Sequence, residues 1–407
     1  MPEKGIFYNR VVMTILLSAL FLQVGVWVRN FAVLLFVMDQ TNGDPFAISM
    51  IYLAEFAPIF IFSFIGGTFA DRWRPKRTMV WCDILSAVSV FAVLLTFLFG
   101  TWKAVFFATL ISAILSQFSQ PSGMKLFKMH LPEEQMQSGM AVYQTLFAVF
   151  MIFGPVLGTF VYQSFGISAA IAIMGVAFLL SAGVLVFLPA DRMEEKSGQP
   201  TSLLQEMKAG ISYVLGNQVL SRLGFCFLAA GLSIGLIQPL GIFLITERLG
   251  LPKESLKWLM AVNGVGMIIG GALTMTIAKK VLPQKLLAVG ILANAISLAI
   301  AGYSTHVWLT MTAQLFTGLF MPCIQIGINT MILKYTEGSF VGRVMGILSP
   351  LFTGAMVLTM SISGSMKKWL SLVSVYEIAA LLFIVGLLFI VPLLRSQPQT
   401  KLGQEST

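Results

Sequence analysis

What most constrains this chain is a series of apolar stretches, each about 20 to 28 residues long, that follow one another with only short polar breaks across most of its 407 residues. At about 1.5 Å of helix rise per residue, each is long enough to cross about 30 Å of hydrocarbon. Backbone polar groups inside a bilayer must pair internally, which leaves helices or closed barrels. The stretches lack the dyad alternation of a barrel strand, so they read as helices. Composition agrees: 57% of residues are hydrophobic and 11% charged, against about 25% charged in soluble domains. The expected fold is an all-α integral membrane protein of twelve transmembrane helices. The spans fall at about 11–38, 46–70, 78–100, 104–124, 139–161, 167–189, 218–246, 255–278, 286–304, 307–333, 342–366 and 371–394.

A formal net charge of +9 raises the question of nucleic acid. The distribution answers it. With both termini cytoplasmic, 19 of the 26 Lys and Arg lie at inner ends or loops, among them Arg72, Arg74, Lys76, Arg77, Lys125, Lys128, Lys279, Lys280, Lys285, Lys334 and Arg343. Six lie outside: Lys103, Arg248, Lys253, Lys257, Lys367 and Lys368. That asymmetry is the positive-inside pattern of a multi-pass protein in a cell membrane, and no nucleic-acid partner is expected. The first apolar run is too long for a signal h-region and lacks a small-residue cleavage site, so it reads as a retained first helix. Cys82, Cys226 and Cys323 sit within spans without paired spacing and read as buried apolar residues. His130 and His306 lie at helix ends. With no nucleophile, metal or phosphate-binding constellation, neither an enzyme nor a cofactor is expected.

The longest polar segment, 189–218, parts spans six and seven. Its residues 202–215 carry Leu203, Met207, Ile211 and Leu215 at helical spacing and read as a helix on the cytoplasmic surface. The chain thus divides into a six-helix bundle over 1–189, a linker over 190–217 and a second bundle with a short tail over 218–407. The halves echo each other. Gly66-Gly67 and Gly270-Gly271 each precede a basic, proline-containing loop, while "FGPVLG" answers "LSPLFTG" and "FSQPSG" answers "LFMPCI". Offsets near 200 residues point to a duplicated unit, and parallel repeats with a site between them mark one large group of secondary transporters.

At "GTFADRWRPKR" the sequence resembles the major facilitator superfamily, whose loop between spans two and three reads G-x-x-x-D-R-x-x-x-[KR]-[KR]. The matching residues are Gly67, Asp71, Arg72, Lys76 and Arg77. The resemblance implies two pseudo-symmetric six-helix bundles latched by this loop on the cytoplasmic side, with Asp83 grouped with the same charges and serving as a second proton candidate. "GPVLG" (Gly154, Pro155, Gly158) is similar to the family's antiporter motif, with Thr159 where a second glycine is common. The finer texture is similar to the drug-proton antiporter branch that includes macrolide and enterobactin exporters. It implies a monomeric bacterial exporter of small amphiphiles, driven by the proton gradient. Lipid or lysolipid transport is the alternative, and a non-transporting sensor a lesser one.

An arginine inside span one costs a few kcal/mol unless it is paired. Arg29 lies ten residues before Asp39, and Glu55 nine after Phe46. Both are therefore about 14–15 Å below the outer boundary, and the α-hairpin brings an arginine and a glutamate to one depth. Three readings stay open: a static staple, a proton switch at Glu55 tuned by Arg29, or direct contact with substrate. Gln23, Asn30, Gln120, Gln144, Gln238, Asn263, Gln325 and Asn329 are candidate cavity residues. The 33 Phe and 23 Met suit a deformable apolar site.

Overall fold

The computed structural model describes residues 10–98, 102–130, 133–189, 203–278, 280–338 and 340–395. Among them every regular element is helical: α1 (Arg10–Gln40), α2 (Pro45–Arg72), α3 (Pro75–Leu98), α4 (Val105–His130), α5 (Glu133–Val186), α6 (Leu203–Gly216) and α7 (Gln218–Ile237). After α7 the chain runs on through a 3-10 turn, one α turn and a π turn ending at Arg248. There follow α8 (Leu256–Ile277), α9 (Pro283–Tyr303), α10 (Val307–Tyr335), α11 (Val341–Trp369) and α12 (Leu372–Arg395). By length and composition, ten of the described helical stretches can cross a membrane, one of them the 45-residue run Val142–Val186.

That run is too long for one crossing, and Gly166 divides it. Its φ of 76° and ψ of −178° are open only to glycine. Packing against α1 shows the chain reversing there. Along 133–165, Gly154 meets Trp27 and Gly158 meets Phe31, so numbers rise together. Along 167–186, Ser181 meets Ser18 and Ala177 meets Gly25, so they run opposite. The two arms of α5 thus grip α1 from both directions, one parallel and one antiparallel.

The other helices assemble the same way. α2 packs with α4, α5 with α3, and α3 with α4, and in the second part α8 packs on α10, α9 on α10 and α12, and α7 on α11 and α12. The two groups meet along α2 with α11 and α5 with α8. The α2–α11 seam is antiparallel and close. Gly364 lies on the Pro45 carbonyl, Ser49 and Ser363 share a 3.0 Å hydrogen bond, and Gly354 accepts the Phe60 ring. A side chain at Gly364 would strike backbone, so this approach requires glycine. The amphipathic α6 docks on the start of α11, with Tyr213 stacked on Phe340 at 4.4 Å.

Candidate functional site

The centre of α1 carries the buried charge. Arg29 is 4% exposed, and its neighbours in the helix turn it inward. Val28 and Phe31 pack toward the arms of α5, while Trp27 and Phe31 receive Gly154 and Gly158. Arg29 makes no ion-pair contact with Glu55. Instead its Nε donates to the Asn30 side-chain oxygen at 2.9 Å, and Asn30 Nδ2 donates to Glu55 Oε1 at 2.8 Å. The direct pair expected from residue counting is thus corrected to an amide bridge. Consecutive helical residues point about 100° apart, and only the carboxamide spans the gap to α2. Arg29 Nη1 and Gln23 Nε2 are buried donors without a hydrogen-bond partner.

Gln23, Arg29 and Glu55 line a cavity of about 280 Å³ within α1–α5, whereas Asn30, which joins the two charges, is not among its lining residues. The cavity continues along α1 to Asp83, which is 2% exposed and accepts a 2.6 Å hydrogen bond from Ser181, itself bonded to Ser18 at 2.7 Å. Asp83 therefore points into the bundle, with its hydrogen bond to Ser181 and not to the basic loop. Gln120 lines this cavity, and Gln144 joins it in an adjoining one lined also by Gln117 and Tyr143. α4 adds Ser112, Ser116 and Gln117. The sequence reading passed over these serines, although their four-residue spacing on α4 is a polar helical stripe.

A second cavity, of about 400 Å³, lies mostly within the later helices. Gln238, Asn263 and Gln325 line it, with Asn294, Gln314 and Tyr376, while Tyr52 and Met151 reach in from α2 and α5. Its described walls carry no Asp, Glu, Lys or Arg. Asn329, exposed on α10, lines neither cavity. Asn294, Tyr52 and Tyr376 were missed. A buried tyrosine has no periodic signature that separates cavity from core.

In the loop motif, Gly67, Asp71 and Arg72 close α2, and their side chains lie outside the described residues. Lys76 donates to the Val186 carbonyl at 2.8 Å and also to that of Leu188, capping the end of the 167–186 arm as a cation at a helix C-terminus. Arg77 sits exposed at the start of α3. In "GPVLG", a Cβ at Gly158 would come within 2.8 Å of the Trp27 carbonyl, and Thr159 bonds the Pro155 carbonyl at 2.7 Å. The motif is the contact of α5 with the helix that carries Arg29.

At the α1–α2 loop, the two groups of helices are tied by charge. Lys253, before α8, pairs with Asp39, which also receives the Tyr162 hydroxyl at 2.7 Å. Lys368, at the end of α11, pairs with Asp44 at 2.7 Å. Burial raises the pKa of the Asp44 carboxyl. The Lys368 hydrogen bond and charge, with the backbone N–H groups of Phe46 and Ala47, outweigh that and hold it below its ordinary value.

A family model described as Major Facilitator Superfamily matches residues 15–238 and 223–407. The chain is 28% identical over 372 residues to the uncharacterized MFS-type transporter YkuC of Bacillus subtilis, covering 88% of this chain and 85% of the relative. It is 24% identical to the multidrug efflux pump Tap of Mycolicibacterium fortuitum, covering 80% and 81%. It is 23% identical to macrolide efflux protein A of Streptococcus pyogenes, covering 81% and 83%. In fold it is similar to a mutant of the nucleoside transporter NupG, with a TM-score of 0.75, 14% identity, and coverage of 94% and 99%. It is also similar to a POT family transporter bound to 5-aminolevulinic acid, with a TM-score of 0.74, 14% identity, and coverage of 97% of each chain.

Proposed function

The chain belongs to the major facilitator superfamily, and on that premise we propose that it is a proton-driven exporter of amphiphilic small molecules (drugs, macrolide-like compounds or siderophores) working by alternating access. The observation that carries this reading is the Arg29–Asn30–Glu55 bridge, an acid held at the centre of a helix bundle by a donor that can let go. When Glu55 is ionised, Arg29 and the Asn30 amide hold it between α1 and α2. When it takes a proton, the attraction to Arg29 falls away and the two helices are free to shift. Intramembrane acids that face a cavity are the usual stations of proton coupling. The relatives named as multidrug and macrolide efflux proteins support the direction and the substrate class.

With both termini cytoplasmic, the ion pairs Asp39–Lys253 and Asp44–Lys368 lie at the outer end, and they hold that end shut. The second cavity, amide-lined and without fixed charge on its described walls, suits the uncharged body of an amphiphile. One chain supplies both walls, so a monomer suffices, and the proton gradient is the energy source in place of a cofactor. Efflux of ethidium and erythromycin from cells with and without the protein tests the proposal. Wild type lowers retention, an uncoupler restores it, and Glu55→Gln restores it without an uncoupler. Transport by Glu55→Gln at the wild-type rate overturns the coupling. Transport unchanged by a collapsed gradient marks an uncoupled facilitator, as lipid or lysolipid movement would.

A further inference from the structure

The cavity inside α1–α5 sets polar side chains among apolar walls from Glu55 to Asp83, and two of its donors have nothing to donate to. Gln23 and Arg29 are 7% and 4% exposed, and Gln23 Nε2 and Arg29 Nη1 are without partners. A buried donor left unsatisfied costs about 1–3 kcal/mol, so a chain that keeps two in one cavity has a use for what fills it. The cavity, of about 280 Å³, has room for several waters at about 30 Å³ each, and Gln23, Arg29, Glu55, Asp83, Ser112, Ser116 and Gln117 line it as hydrogen-bonding groups. Ser18, bonded through Ser181 to Asp83, lies eleven residues below Arg29 on α1, about 16 Å along the axis. Gln23 sits between them in sequence, and the serine stripe of α4 lines the same cavity.

We infer that this cavity is a water-filled proton conduit joining Glu55 to Asp83 and the cytoplasm, with Gln23 and Arg29 ordering its water. It rests on the proton-coupled reading above and adds a route: protons leave through the inside of the first bundle, while substrate uses the second cavity. Protonated Glu55 gives its proton to an adjacent water. The excess charge passes along the water to the Asp83 carboxylate, which releases a proton to cytoplasmic water. Glu55 is left as a carboxylate facing Arg29 and the Asn30 N–H, and Asp83 ends as it began. Among the described residues, few charged and titratable groups face this path. Arg29 approaches Glu55 from α1, and Tyr52 lies one turn away on α2, with Tyr376 of α12 beyond it. Near Asp83 are Cys82 and, on α5, Tyr143. α4 adds hydroxyls and amides without charge.

Cysteine accessibility and proton-driven efflux test it together. In a background of Cys82→Ser, Cys226→Ser and Cys323→Ser, single Ser86→Cys and Ser116→Cys proteins in inside-out vesicles are exposed to a charged, membrane-impermeant thiosulfonate. Both are expected to react at least tenfold faster than Ser233→Cys, whose site is sealed between α7 and α12. Rates equal to that control overturn the conduit. Separately, ethidium efflux driven by an imposed pH gradient is expected to fall at least fivefold in Gln23→Leu and to recover in Gln23→Asn. If wild type responds to the gradient and Gln23→Leu matches it, protons take another route, and the conduit falls while coupling stands. If wild-type efflux ignores the gradient, the coupling reading itself fails, and the conduit with it.

Discussion

At the scale of single residues, the decisive group is Asn30. It turns two charges that cannot meet directly into a connected unit, accepting from Arg29 and donating to Glu55. Removing one member of a buried charged network leaves the other uncompensated, whereas removing both charges can be neutral. Arg29→Met is therefore expected to lower stability by about 3–5 kcal/mol, and the double variant Arg29→Met/Glu55→Gln to regain most of that loss. Thermal melting of the detergent-purified proteins checks it, and a double variant no more stable than the single would contradict the bridge. Asn30→Leu strands a donor and an acceptor together, at about 1–3 kcal/mol for each unmet group, and should lower the melting temperature although no charge has changed. Residue counting placed Arg29 and Glu55 at one depth. It gave no means of seeing which atom closes the gap, because that depends on the rotation of α1 about its axis.

At the scale of elements, α5 organises the first bundle by folding back on α1. "GPVLG" was legible as a packing and kink motif. That its glycines clear the Trp27 ring and the Trp27 carbonyl was not, since the partner lies over a hundred residues away. A substitution at Gly158 meets backbone, which cannot swing aside as a side chain can. Gly158→Val should cost at least about 1–3 kcal/mol and reduce the folded fraction extracted from membranes. Gly183→Ala, on the same element with nothing within 4 Å of its Cβ position, should be neutral or slightly stabilising by helix propensity. Fluorescence-detected gel filtration of the two variants separates the cases, and equal losses would show the α1 contact to be loose. The sequence put the break between spans five and six at 161–167. The structure assigns the reversal to Gly166, whose backbone angles no other residue adopts comfortably.

At the scale of the whole molecule, the two groups of helices are joined by the close α2–α11 seam and by charges at the α1–α2 end. The acids, Asp39 and Asp44, come from the first part, and the cations, Lys253 and Lys368, from the second. Exposed pairs are each worth only about 0–1 kcal/mol and are weakened by salt, which suits the reopening that the proposed alternating access requires. Because the Asp44 carboxyl is held below its ordinary value of 3.8, its contribution to closure is complete above that value and is lost as pH falls through the depressed one. Spin labels at Asn42 and Lys257 should report a longer mean distance in strong acid or high salt than at neutral pH. Lys368→Glu should lengthen it, and Asp44→Lys/Lys368→Glu should bring it back. A distance indifferent to charge reversal would leave the seam alone responsible.

The sequence by itself determined that the chain is a multi-pass helical membrane protein of the transporter superfamily, since apolar length and loop motifs are local properties readable one segment at a time. It also showed which residues are costly enough in lipid to need a reason. Only the tertiary structure decided what answers them: Asn30 between Arg29 and Glu55, Ser181 on Asp83, and lysines of the second part on acids of the first. Those choices depend on how helices rotate about their axes and how closely they approach, and both are fixed by the packing of distant segments.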